Sequence, residues 1–164
     1  MLKVLIAVDG STAGDEMFRV AGELLSDKQS EVRLLHVIPR HLIYGRGGPV
    51  VAECYDPAEE RSHSKSLLED STVRLRAAGF TGPIKTEIDT GDPADAILTV
   101  ADQDQSDLIV LGSRGFNTVR RFLMGSVSSK VSTHATCAVL IVHPKVAISH
   151  GVSVGESARE TVTA

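Results

Sequence analysis

"LKVLIAVDGS", Leu2 to Ser11, opens with seven residues that are apolar but for Lys3 and then stops at a turn. A short aliphatic run of this kind, rich in Val, Ile and Leu, reads as a strand buried on both faces. The Asp-Gly-Ser that follows is turn chemistry. The pattern recurs in "EVRLLHVI" (31–38), in "DLIVLG" (107–112) and in "AVLIVH" (138–143), and "IKTEI" (84–88) alternates with period two.

Helical periods fill the spaces between these runs. From Thr12 to Leu25 the apolar residues Met17, Val20, Ala21, Leu24 and Leu25 share one face, and Ser11 or Thr12 is placed to cap it. A long helix is expected from about Ala58 to Ala78, with Gly79 as its stop. "GDPADAILTVADQ" has Asp92 at the N-cap and Pro93 at the first helical position. "SVSSKVSTHA" (126–135) predicts a short final helix. Pro39 to Pro57 shows no sustained period and is expected to be an irregular loop, either functional or mobile. From Lys145 to Ala164 the apolar period is lost, which divides the chain into a domain at 1–144 and a polar, mobile tail at 145–164.

Strands alternating with helices require a parallel sheet with right-handed crossovers. The expected fold is therefore α/β: a single doubly wound five-stranded parallel sheet, strand order 3-2-1-4-5, with helices on both faces. In such a sheet ligands sit beyond the carboxyl ends of the strands where the order reverses. Strands one and four are neighbours there, so "DGS" and "GSRG" would face one crevice.

Composition narrows the function. With 42% hydrophobic residues, 23% charged and no tryptophan, the chain suits an aliphatic core in a soluble domain. A formal net charge of −4 gives no electrostatic case for nucleic acid or an anionic membrane. "MLKVLIAV" is too short for a signal peptide and no apolar run reaches the roughly 18 residues that span a bilayer, so a cytoplasmic location is expected. Cys54 and Cys137 form no C-x-x-C pair; Cys137 reads as an inert buried thiol and Cys54 as the more exposed one. His36 reads as a packed core histidine, and His41 and His63 as surface residues. His134 and His143 have no metal-spaced partner, and no metal ligands are assigned.

"GSRGFNTVRRFLMGS" (112–126) carries the chemistry. Its glycines let backbone amides converge on an anion, and "GSVSS" opens a helix whose first amides lack partners. Arg114, Arg120 and Arg121 add positive charge. The same residues also suit ordinary turns and caps, and composition alone does not choose between the two. The segment is not a Walker P-loop, and the chain has no G-x-S-x-G nucleophile elbow, although Asp9, Ser11, His36 and Ser126 are the residues a hydrolase would need near one crevice.

The order "VLIAVDGS", "LLHVIP", "GDPADAI", "DLIVLGSRG", "LMGSVSSKV" resembles the universal stress protein family from about Leu2 to His143. Gly112, Gly115, Gly125 and Ser126 match G-x2-G-x9-G-[ST], the signature of the family's ATP-binding branch. The resemblance implies a stress-responsive regulator that binds ATP, or ADP or AMP, with Mg2+ accompanying a triphosphate, and whose bound nucleotide controls conformation or an unidentified protein partner. It implies that Ala7 lines the nucleotide, Asp9 contacts ribose or base, and the Val37 backbone reads the adenine edge. Gly112, Arg114 and Gly115 match the first phosphate loop, and Gly125, Ser126, Val127 and Ser128 the second. A homodimer through the last strand, Ala138 to His143, is also implied. A slow ATPase, or a dimerisation module without nucleotide, are the alternatives. Ala138 departs from the proline that many members carry after the cysteine, and the loop from Pro39 to Pro57 is variable in the family.

Overall fold

The computed structural model describes residues 1–11, 14–26, 29–39, 42–45, 48–51, 57–113 and 124–143. The tail beyond His143, Cys54, Arg114, Gly115, Arg120 and Arg121 lie outside these residues.

The aliphatic runs form the parallel sheet they predict. β1 (Leu2–Val8), β2 (Ser30–Pro39), β5 (Ile84–Gly91), β6 (Leu108–Gly112) and β7 (Ala138–Val142) pair in the order β5-β2-β1-β6-β7. Counting only these five, the order is 3-2-1-4-5. β1 explains why its sequence is apolar without alternation. Val4, Ile6 and Val8 join a core with Met17, Phe18, Ala21 and Leu25 of α1 (Gly14–Leu25) and Leu68 and Leu75 of α2 (Pro57–Ala77). Leu5 joins the opposite core, with Ile97 and Val100 of α3 (Pro93–Asp104) and Val131 of α4 (Ser126–His134). Successive strand residues point to opposite faces, so burying both faces demands apolar residues throughout.

Within the stretch 39–57, the described residues 42–45 and 48–51 correct the expectation of irregular structure. β3 (Leu42–Gly45) and β4 (Gly48–Val51) pair antiparallel, with Leu42 opposite Val51 and Gly45 opposite Gly48. Four-residue strands hold too few alternations to stand out from the glycines and prolines around them. Gly79, at φ +98°, ends α2 as expected, because a side chain is strained there.

Asp92 caps α3, its Oδ1 accepting from the Asp95 amide at 3.0 Å, with Pro93 next in the chain. Lys130 of α4 reaches Asp95 at 2.7 Å and Asp92 at 3.3 Å, tying the two helices together. The amide of Asp95, and then Lys130, hold the Asp92 carboxyl below the usual carboxylate range. Asp92→Ala is expected to cost about 1 kcal/mol. A lowered folded-state pKa stabilises above the unfolded value and is lost as pH falls through the lowered one. Thermal melts should therefore show a constant gap between parent and variant near neutral pH that closes below about pH 4.

Candidate functional site

Two features of the sheet create the site. The register Val4–Leu108, Leu5–Ile109, Ile6–Val110 brings the carboxyl ends of β1 and β6 side by side, where the strand order reverses. β2 also outruns β1: Val8 pairs with His36, the last residue of that ladder, while β2 continues against β5 as far as Pro39. Past His36 the β1 side of β2 has no strand partner among the described residues, which leaves peptide groups near Val37 open.

A cleft of about 600 Å³ opens at this rim. Ala7, Asp9, Val37, Gly112, Gly125, Ser126, Val127 and Ser128 all line it. Of the residues singled out from the sequence, only Arg114 and Gly115 of this group lie outside the described residues.

Each wall has a local cause. Gly10, at φ +78°, turns the chain out of β1, and the Asp9 Oδ1 accepts from the Ser11 amide at 2.9 Å. One carboxylate oxygen is thus used in the turn, and Asp9 is otherwise exposed to the cleft. Gly125 is the N-cap of α4 and supplies no side-chain hydrogen bond; its carbonyl accepts from the Ser129 amide at 2.9 Å. The amides of Ser126, Val127 and Ser128 are the first N–H groups of the helix, at its positive end, and have no hydrogen-bond partner among the described residues. The Ser128 hydroxyl donates to the Gly112 carbonyl at 2.7 Å, so it braces α4 against β6 and leaves only the Ser128 amide for an anion.

His36 departs from the core placement expected of it. It is half-buried on the cleft wall, and its Nδ1 lies 2.9 Å from the Val8 carbonyl. That contact, rather than one to Asp9, orients the ring, so the Asp-His pairing a hydrolase triad needs is not formed. Glu60, His63, Leu67, Asp70, Ser71 and Arg74 also line the cleft. They recur at helical spacing along α2, a signal that points to the site only once the sheet order sets α2 beside it. Arg74 is tied to Asp15 at 2.9 Å and Asp70 at 2.7 Å. Cys137 is away from the cleft and half-buried rather than buried as expected; its partial burial, then Asp102, push its thiol up. Among the described residues no cluster of three His, Cys, Asp or Glu side chains is arranged to hold a metal ion, and no helix is long and apolar enough to cross a membrane.

The universal stress protein family model matches residues 1–143. The chain belongs to the universal stress protein family. Universal stress protein YxiE of Bacillus subtilis (strain 168) is 32% identical over 153 residues, 85% of this chain and 97% of the relative. Among solved members, a universal stress protein in complex with cAMP aligns with TM-score 0.65 at 26% identity, over 88% of this chain and 98% of that one. A universal stress protein family protein from Arabidopsis thaliana with AMP bound aligns with TM-score 0.60 at 25% identity, over 88% of this chain and 93% of that one. As a family member the chain thus has solved neighbours that carry adenine nucleotides.

Proposed function

We propose that this universal stress protein binds an adenine nucleotide, ATP or its di- or monophosphate, at the rim of the sheet, and that occupancy regulates its conformation or partner binding. The observation that carries this reading is the start of α4. Three amides and a helix dipole face the same cleft as Asp9 and the overhanging edge of β2. The phosphates belong at Gly125 to Ser128, with Arg114 and Gly115 completing the cradle, and Asp9 at the ribose or base. Ala7 and the Val37 backbone suit the adenine. Mg2+ would come with a triphosphate, held by phosphate oxygens and water. One arrangement of the rim loops is then favoured over others by the ligand's differential affinity.

The cleft supports a regulator better than a hydrolase, because His36 Nδ1 faces the Val8 carbonyl rather than Asp9, so no Asp–His pair is formed. Cleavage of the γ-phosphate is expected to be very slow. β7 is an edge strand of the sheet with the apolar sequence Ala138–Val142, which suits a homodimer extended through His143. A cytoplasmic location and a domain boundary near residue 144 complete the proposal.

Nucleotide extracted from purified protein should be an adenine nucleotide, and AMP or ATP should raise the melting temperature with the logarithm of ligand excess over Kd. Asp9→Ala should weaken that response by roughly tenfold, through loss of charge-assisted hydrogen bonds. A melt indifferent to every adenine nucleotide would sink the reading, and steady phosphate release abolished by Asp9→Ala would turn it toward a hydrolase.

A further inference from the structure

The cleft straddles the rim of the sheet, and the nucleotide reading uses one side of it. Val37 and α4 belong to the core on the α3 face. His36, following Val32 and Leu34 in alternation, lies on the α1 and α2 face. The part of the same cleft on that face, its α1–α2 lobe, has Phe18 of α1 and Leu67 of α2 as apolar walls. Gly10 and Gly14 line it too, so that no side chain of theirs occupies the space.

Two polar groups open into this lobe. Ser71 is 2% exposed, lines the cleft, and its hydroxyl takes part in none of the hydrogen bonds found among the described residues. The neighbouring hydroxyls of α2 behave differently: Ser64 donates to the Glu60 carbonyl and Thr72 to the Leu68 carbonyl, each at 2.8 Å. The Ser71 hydroxyl is therefore left for an acceptor that enters the cleft. His36 supplies the complement. A carbonyl only accepts, so the Nδ1 facing Val8 carries the proton, and in the neutral ring Nε2 remains an acceptor.

The charges around the lobe argue against a second phosphate. Arg74 is neutralised by Asp15 and Asp70, and Glu60 adds a further carboxylate at the rim. We propose that this lobe is a second binding site, separate from the nucleotide's, for an uncharged planar heterocycle that carries both an N–H donor and a ring acceptor. The donor meets His36 Nε2, the acceptor takes the Ser71 hydroxyl, and the ring is covered by Phe18 and Leu67.

Benzimidazole at pH 7.5, where it is neutral, is a suitable probe for titration into the full chain. Saturable amide shifts are expected at Gly10, Gly14 and Ser71, unchanged by saturating AMP. Ser71→Ala should weaken benzimidazole about fivefold, the worth of one hydrogen bond. Ser71→Leu should fill the lobe and abolish binding. Both variants should keep the parent's melting behaviour, read by circular dichroism, and its response to AMP. The proposal is overturned if the shifts map instead to Val37 and Ser126, if AMP displaces the probe, if no shift saturates, or if a folded Ser71→Leu binds it as the parent does. Failure of AMP to bind leaves the benzimidazole result standing, so the two readings fail separately.

Discussion

Gly125→Asp is expected to abolish the response to AMP while leaving the free protein at least as stable as the parent. Gly125 sits at φ −62°, ψ 154°, an extended conformation that aspartate adopts without strain. At an N-cap aspartate accepts from the second or third amide of the helix and is preferred over glycine by a few tenths of a kcal/mol. Its charge at the positive end of α4 adds about 0.5 kcal/mol more. The same carboxylate occupies the amides of Val127 and Ser128 and sets a negative charge where phosphate is to lie. Losing two charge-assisted hydrogen bonds corresponds to roughly 100-fold or more in affinity. Gly125→Asn is the control: it caps without charge and should cost about tenfold. Thermal melts with and without AMP read both effects. An undiminished AMP shift in Gly125→Asp means that the phosphate is not held by α4.

Gly22→Ala is expected to destabilise the protein, against the direction helix propensity gives. Alanine is favoured over glycine by about 1 kcal/mol inside a helix. Gly22, however, is buried where α1 crosses the end of α2. A Cβ there meets the Ala78 carbonyl oxygen at 2.4 Å, the Ala78 Cβ at 2.6 Å and its carbonyl carbon at 2.8 Å. The obstacle is backbone at the last turn of α2, which holds its own bond from the Ala78 amide to the Arg74 carbonyl, so it cannot swing aside as a side chain does. Overpacking of this kind costs about 2 kcal/mol, or roughly 6 °C in melting temperature for a chain of this size. A melting temperature equal to or above the parent's would show that the helices separate at little cost. Gly22→Val should be worse still.

The two substitutions mark where reading residues in order succeeds and where it stops. The glycine-serine step before "SVSSKV" announces a helix start with open amides whichever way the rest of the chain folds, because capping is local. Asp92-Pro93 announced α3 on the same ground. Gly22 gives no such signal, since what makes it necessary is a carbonyl more than fifty positions away. The pairing of Leu42–Gly45 with Gly48–Val51 leaves no clear signal in the sequence because its strands are short. His36 was misplaced because a histidine in a strand looks the same whether its neighbour strand continues or ends, and here β1 ends beside it. Ser128 looked like an anion donor from its position in the helix, but its hydroxyl is spent on Gly112. That bond depends on how α4 lies against β6.

The sequence by itself determined the five strands of the parallel sheet and the four helices, because each rests on periods and caps within a few residues. It also carried the resemblance to the universal stress protein family, which the family model bears out over residues 1–143. The tertiary structure alone decided that Asp9, the overhang of β2 and the start of α4 meet in one cleft. It alone decided that Ser71 of α2 and His36 of β2 line the other side of that cleft. The physical reason is that contacts across the sheet depend on register and crossover, and neither is written in any single stretch of the chain.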